Sequence, residues 1–432
     1  MFSSLSDLYN IFTEHPRIVT DSRNIIPSCM FFALKGERFN GNHFAAAALD
    51  QGASYVIIDE PEFQTDARCL LVEDVLHTLQ DLARHHRSTF TIPVIGITGT
   101  NGKTTTKELI SSVLSRKYKV VSTTGNLNNH IGVPLTLLRM DRETGIAVIE
   151  MGANHPGEID FLCRIALPGY GLITNVGKAH LEGFGSFEGV VKTKTELYRF
   201  LLETGGKVFI NSADSILMEH SREPGHIKYG FDENDFLKGY LAESGDFVRL
   251  NITTKDGSIL GIQSGLFGGY NAPNILASAC IGRYFNVSDE DIRLAIESYT
   301  PANNRSQVRQ TGRNTLVMDA YNANPSSMEA ALRFFASSSY ENKVVILGDM
   351  LELGAESDTL HTQILQIIGE LQFPEVYLVG PVFTRVNTKR ENLCFSDSEL
   401  AKLWFSHHCP SSKAILLKGS RGMKLETISE IL

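Results

Sequence analysis

Val94-Ile-Gly-Ile-Thr-Gly-Thr-Asn-Gly-Lys-Thr-Thr-Thr106 decides the fold of this chain. An apolar, β-rich run enters a glycine-rich turn and leaves as a helix, the order of a phosphate-binding strand, loop and helix. Gly96, Gly99 and Gly102 let backbone N–H groups face an anion with no Cβ in the way, and a helix beginning near Lys103 adds its positive dipole end. The spacing is G-x-x-G-x-x-G-K-T, with Ile97 standing where the strict G-x-x-x-x-G-K-[ST] pattern has its first glycine. The mechanically essential Gly-Lys-Thr after a strand is kept. Thr98, Gly99, Thr100, Asn101, Gly102, Lys103 and Thr104 are therefore expected to hold a nucleotide, Lys103 on the β- and γ-phosphates and the Thr104 hydroxyl on Mg²⁺.

On both sides of this loop the chain alternates between strand and helix patterns. Downstream, helix Lys103 to Lys117, strands Val120 to Thr123 and Ala147 to Met151, helix Pro156 to Ile165 and strand Gly171 to Asn175 predict a mainly parallel, helix-covered sheet. Such sheets bind ligands at strand ends, which singles out Glu150 as a second Mg²⁺ anchor or a surface carboxylate. His180, after another strand, is either a satisfied loop residue or a metal ligand. The amide-rich stretch from Thr123 to Pro134, with Asn128 and Asn129, has little to bury and suits a substrate-reading loop. A helix from Phe187 to Leu202 carries Lys192 and Lys194 on its first turns. Asn271 and Asn274 fit a nucleobase edge by their paired donor and acceptor, or serve as turn and cap residues.

A third α/β alternation begins near Pro301. Its strand Thr315 to Asp319 leads through Tyr321-Asn-Ala-Asn-Pro325 into a helix with Asn324 as N-cap and Pro325 at the first helical position. Before the loop, residues 1 to about 83 form a small α/β unit, with a polar turn at Asp21-Ser22-Arg23 that is either an anion site or a solvated turn. The expected organisation is three α/β domains, 1–83, 84–300 and 301–432, the central one a P-loop-type mainly parallel sheet and the last Rossmann-like.

At 432 residues, with 42% hydrophobic and 21% charged side chains, the chain has the composition of a multidomain globular protein. A formal charge of -9 and a pI near 5.8 argue against a general nucleic-acid or anionic-membrane surface. Phosphates must be bound locally. The six cysteines are scattered without a C-x-x-C pair, as reduced structural thiols would be. Met1-Phe-Ser-Ser-Leu-Ser-Asp7 lacks the basic and apolar regions of a signal peptide, and no run of 18 apolar residues occurs, so a cytoplasmic location without membrane insertion is expected.

The cradle Thr98 to Thr104, Glu150, His180, Asn271, Asn274, Arg305 and Asp319 together resemble, in this order, the Mur ligases, three-domain ATP-dependent enzymes that extend the UDP-linked muramic acid precursor of peptidoglycan. Asp319-Ala-Tyr-Asn-Ala-Asn-Pro325, Leu347-Gly-Asp-Met-Leu-Glu-Leu-Gly354 with His361, and Lys418-Gly-Ser-Arg-Gly-Met423 are similar to the branch that adds D-alanyl-D-alanine. Phe39-Asn-Gly-Asn-His-Phe44 departs from the Asp-Gly-His usual in that branch. The resemblance implies ATP and Mg²⁺ as cofactors, UDP-N-acetylmuramoyl-tripeptide and D-alanyl-D-alanine as substrates, no nucleic-acid partner, and a monomer. It implies catalytic roles for Lys103, Glu150, His180, Lys194, Arg305 and Asp319, and nucleotide contacts from Asn271, Asn274 and Arg305. Asp21, Ser22, Arg23, Asn128, Asn129, Tyr321, Asn322 and Asn324 would touch substrate, and Thr104, Glu150, His180 and a carbamylated Lys194 would hold metal. The competing class is a nucleotide-driven switch, which would need no further ligand-ready α/β units.

Overall fold

A strand buried on both faces must be apolar throughout, and Val94–Thr98 is buried at all five positions. It lies between Tyr170–Ile173 on one side and Ile146–Glu150 on the other, both parallel to it. In the computed structural model this strand sits within a sheet of nine, whose order from one edge is Ile259–Phe267, Phe247–Thr253, Leu237–Leu241, Ile227–Gly230, Lys207–Asn211, Tyr170–Ile173, Val94–Thr98, Ile146–Glu150 and Val120–Ser122. Only the pairings made by Phe247–Thr253 are antiparallel. The structure describes residues 4–221, 225–242, 245–301, 304–389 and 392–432. Met1 to Ser3, part of the stretch read against a signal peptide, lie outside them.

Helices cover this sheet as the parallel arrangement requires. Lys103–Leu114 packs on Ala272–Tyr284, whose residues are buried nearly all round, as a helix enclosed between a sheet and a second helix must be. The predicted helix from Phe187 to Leu202 is two helices, Phe187–Lys194 and Glu196–Thr204. Thr195 separates them, its hydroxyl donating to the Val191 and Lys192 carbonyls (2.9 and 3.1 Å) while its N–H still bonds the Val191 carbonyl (3.0 Å). The amide-rich stretch is a loop only as far as Ile131. Gly132–Leu137 is helical, and Asn129 Oδ1 accepts the Ile131 and Gly132 N–H groups at its start.

Beside the large sheet stand one of four strands and one of six, together with a two-stranded ribbon of Lys35–Gly36 and Phe39–Asn40. Ile18–Val19, Met30–Phe32, Tyr55–Ile58 and Cys69–Leu71 form a parallel sheet of four. The helix Val75–Ser88 that follows is continuous through residue 83, where the sequence put the first boundary, and packs against Gly132–Leu137 and Glu158–Ala166 of the central unit. Arg87 fastens it there, donating to the Ala166, Leu167 and Phe90 carbonyls at 2.8 to 3.1 Å. The third sheet runs Gln307–Gln310, Thr315–Asp319, Ala414–Lys418, Lys343–Gly348, Glu375–Val379 and Leu393–Phe395, parallel except for its first strand. Its helix Pro325–Ser337 begins with a reciprocal cap between Asn324 and Ser327, with Pro325 in the first turn. All six cysteines are free. Among the described residues no helix is long and apolar enough to cross a membrane.

Candidate active site

The chemistry-bearing residues collect where parallel strands end. Thr98, Glu150 and Asn211 close strands of the central sheet, and Asp319 and Lys418 close neighbouring strands of the third. A cavity of about 1270 Å³ opens over these ends, lined by all three units. The first unit contributes Leu76, His77 and Gln80 from the helix Val75–Ser88.

The glycine loop forms one wall. Gly99 and Gly102 have φ of +139° and +78°, and a Cβ at either would strike a neighbour, Thr174 Oγ1 at 2.1 Å or Asn274 Oδ1 at 2.8 Å. Those two positions admit only glycine. Thr98 is buried beneath the loop, its hydroxyl donating to the Met151 carbonyl (2.8 Å). Thr100 exchanges hydrogen bonds with Gly177, and the Asn175 side chain holds Asn101 by both its N–H and its carbonyl (3.0 Å each). Lys103 folds its amine over the loop, donating to the Gly99 and Thr100 carbonyls (2.8 and 3.0 Å). Burial and the nearby Arg305 charge push its pKa down, against the pull of Glu150.

Thr104 and Glu150, expected to share a metal, meet: the Thr104 hydroxyl lies 2.8 and 3.1 Å from the two Glu150 oxygens. Glu150 is 1% exposed and also accepts from Asn128 Nδ2 (2.8 Å). A hydroxyl and a carboxylate side by side at the foot of a phosphate loop suit a hard cation that draws its other ligands from phosphate and water. Among the described residues no group of three or more His, Cys, Asp or Glu side chains is placed to hold a metal ion without such help. The remaining two expected ligands are engaged elsewhere. His180, with φ of 51°, sets its Nδ1 against the Glu352 carboxylate of the third unit, which holds that carboxyl below its usual pKa. Lys194 does not line the cavity; it stands behind Ala153, donating to that carbonyl at 3.4 Å, with its amine 5.2 Å from the Phe184 ring centroid. Burial, and then the Lys103 charge, lower its pKa to about 7. Its amine is a metal ligand only after conversion to an anionic form.

Asn271 and Asn274 line the cavity, but much of their capacity is spent inside the protein. Asn271 Nδ2 donates to the Phe267 carbonyl (2.9 Å) and Ser306 Oγ (3.2 Å), and Asn274 Nδ2 to Asn271 Oδ1 (2.9 Å). No side-chain cap bond is made by Asn271 at the helix Ala272–Tyr284. Asn128 reaches Glu150, whereas Asn129 serves the helix start described above. Asp21, Ser22 and Arg23 lie apart from the cavity, where the Arg23 guanidinium clasps Asp21 (2.7 and 2.9 Å) and holds its carboxyl at about 2.

The third unit closes onto the loop. Asn324 Nδ2 donates to Asn101 Oδ1 (2.8 Å), and Asn101 Nδ2 donates to Ser326 Oγ (3.1 Å), so the cap of the helix Pro325–Ser337 grips the tip of the phosphate loop. Arg305 stacks on Tyr321 with its guanidinium carbon 3.7 Å from the ring centroid, and its Nε is a buried donor without a partner. Tyr321 and Asn322 line the cavity beside it. Asp319 accepts from Lys418 Nζ at 2.5 Å, a lysine only 2% exposed at its side chain.

Among the cavity residues that had no role in the sequence expectations are Lys418, Arg421, Glu352 and Asp214. Lys418 was legible in principle, because it ends a strand in direct register with Asp319 and carries the opposite charge. Glu352 occupies a left-handed backbone position (φ 64°) in a loop whose course is not marked by any periodicity.

Comparison with known proteins agrees with this geometry. Residues 17–87 match the model described as Mur ligase family, catalytic domain, residues 97–282 the Mur ligase middle domain, and residues 304–421 the Mur ligase, glutamate ligase domain. The UDP-N-acetylmuramoyl-tripeptide–D-alanyl-D-alanine ligase of Bacillus subtilis is 34% identical over 427 residues, covering 95% of this chain and 92% of that protein. Its counterpart in Escherichia coli is 33% identical, covering 96% and 93%. Among solved structures, MurF from Acinetobacter baumannii superposes with a TM-score of 0.85 at 32% identity, over 96% of this chain and 92% of that one. MurF from Thermotoga maritima in complex with ADP gives 0.83 at 29% identity, over 96% of each. With the phosphate loop, the cross-unit cavity and these matches in hand, the chain belongs to the Mur ligase family.

Proposed function

We propose that this protein joins D-alanyl-D-alanine to the terminal carboxylate of UDP-N-acetylmuramoyl-tripeptide with cleavage of ATP to ADP and phosphate, giving the pentapeptide precursor of peptidoglycan. The observation that carries this is the single cavity into which the phosphate loop with Lys103, the buried Glu150, and the third unit's Arg305, Asp319 and Tyr321 all face. A ligase must bring nucleotide, acid and amine together. A nucleotide-driven switch has no use for a third α/β unit that puts charged side chains over its phosphates.

Segment 1–83 is assigned the UDP part of the precursor, with Asp21, Ser22 and Arg23 on its surface turn; 84–300 takes ATP and 301–432 the dipeptide. The precursor's carboxylate attacks the γ-phosphorus, ADP leaves, and an acyl phosphate remains; the neutral amine of the dipeptide then adds to the acyl carbon and phosphate departs. Phosphoryl transfer of this kind depends on positioning and charge neutralisation more than on a protein nucleophile. Lys103 leaves its two carbonyls to meet phosphate oxygens. Arg305, already oriented by Tyr321, brings a donor with no protein partner. Thr104 and Glu150 are the residues suited to Mg²⁺, which supplies positive charge to the transferring phosphoryl group when bound. The Asn101 bonds to Asn324 and Ser326 close the third unit over the loop, excluding water that would hydrolyse an acyl phosphate. Lys194 is assigned as the site of carbamylation, because an amine whose pKa is near 7 is largely neutral at physiological pH and can capture CO₂.

The experiment is a coupled ADP-release assay with UDP-muramoyl tripeptides ending in lysine or diaminopimelate, each with and without D-alanyl-D-alanine. ADP release that requires both tripeptide and dipeptide is expected. Release with ATP alone would favour the switch, and release driven by another amino acid in place of the dipeptide would favour a different Mur-type ligase.

A further inference from the structure

The basic side chains lining the cavity differ in what already occupies them. Lys418 is paired with Asp319, His180 with Glu352, and Lys103 lies on loop carbonyls. Arg305 and Arg421 also face the cavity, and among the described residues neither makes an ion pair. Arg305 belongs to the phosphate end, since its charge is felt at Lys103. Arg421 has no task in the proposed reaction so far.

Its position is fixed by its neighbours. The strand Ala414–Lys418 delivers it through Gly419 and Ser420, and Ser420 is tied to the loop after Gly348: its N–H donates to the Asp349 carbonyl (3.2 Å) and its Oγ accepts from the Leu351 N–H (2.9 Å). The Arg421 guanidinium then donates to the Tyr321 hydroxyl (3.2 Å), with its central carbon 5.2 Å from the ring centroid. Tyr321 therefore orients both free guanidinium groups.

The acceptor carries an amine that must lose its proton to attack and a carboxylate that takes no part in the chemistry. A carboxylate drawn into a closing cavity needs a cation, and the planar fork of arginine matches it with two hydrogen bonds. The two guanidinium carbons are measured from one ring, at 3.7 and 5.2 Å, so they stand no more than about 9 Å apart, a bound that leaves both within reach of one extended dipeptide of roughly 7 Å.

We propose that Arg421, oriented by Tyr321, binds the free carboxylate of the acceptor and so selects a dipeptide acid over its amide. This rests on the reading of the protein as the dipeptide-adding ligase.

The test measures ADP release at saturating ATP and tripeptide precursor, with D-alanyl-D-alanine or D-alanyl-D-alaninamide as acceptor, for wild type, Arg421→Ala and Arg421→Lys. Wild type is expected to favour the acid over the amide by about 30-fold or more in kcat/KM, as the loss of a charge-assisted pair predicts. Arg421→Ala should raise the KM for the dipeptide by a similar factor and erase that preference, while the KM for ATP stays as in wild type. Arg421→Lys should recover part of the preference. A wild type that uses the amide as well as the acid overturns the inference, as does an Arg421→Ala or Arg421→Lys enzyme with the full wild-type preference. If instead wild type shows no dipeptide-dependent ADP release, it is the ligase assignment that has failed.

Discussion

Replacing Lys194 with methionine should make the protein more stable and less active, and the stability gain should depend on pH in a defined way. Lys194 is 2% exposed, has no carboxylate within bonding distance, and donates only to one carbonyl at 3.4 Å. Its pKa falls from 10.5 to about 7, chiefly through burial. That shift corresponds to a ceiling of roughly 5 kcal/mol for carrying the charged form in the folded state. Relaxation and water entry reduce the realised figure to about 1–3 kcal/mol.

The sign follows from which state holds the proton. Below pH 7 both folded and unfolded chains keep Lys194 charged, and wild type bears the whole burial cost. Between about pH 7 and 10.5 the folded lysine is neutral while the unfolded one is still charged, so wild-type stability rises with pH, by at most about 1.4 kcal/mol per unit. Methionine keeps the length and apolar stem without the charge. Urea unfolding followed by circular dichroism, in bicarbonate-free buffer at pH 6, 7.5 and 9, should show Lys194→Met the more stable at pH 6 and the gap narrowing as pH rises. A gap that is constant across this range, or a variant less stable at pH 6, would refute the description of Lys194 as an uncompensated buried amine.

Other residues give further expectations. Lys103→Ala should lower kcat by about 10³ or more with the fold intact, since the amine bonds only the Gly99 and Thr100 carbonyls; near-normal turnover would remove Lys103 from the phosphate site. Lys194→Ala should nearly abolish ligation and regain part of it when a short carboxylic acid is added, the sign of a carboxylate-like role. Ser326→Ala should raise the KM for the dipeptide several-fold with an unchanged melting temperature, because its hydroxyl joins the third unit to Asn101; equal KM values would show that this contact does not assist closure. His86 and His361 are buried with depressed pKa values, so as pH falls below about 6.5 the unfolded chain takes up protons that the folded one refuses, and stability drops; His86→Gln should shallow that acid limb in denaturation profiles.

Much of this was written in local sequence because the decisive features are local. The run Val94–Thr98 and the glycines after it dictate a buried strand and a turn that only glycine can make, and Asn324 with Pro325 marks a helix start by cap chemistry alone. Thr104 and Glu150 could be paired in advance since each sits at a fixed offset from a strand end. What escaped were contacts between distant segments. The Glu352 partner of His180 arises only when the third unit packs over the central one, and the Asp319 partner of Lys418 and the ring that Arg305 shares with Arg421 join segments of the third unit that lie about 100 residues apart in the chain. The break at Thr195 was hidden by an unbroken helical pattern, in which nothing local marks that residue as the junction of two helices.

The central claim is that the precursor's own carboxylate is phosphorylated before the amine attacks. Labelling both oxygens of that carboxylate with ¹⁸O and analysing the phosphate released during dipeptide-dependent turnover tests it directly. The account predicts one labelled oxygen in each phosphate released. Phosphate without label, formed alongside the ligated product, would contradict it.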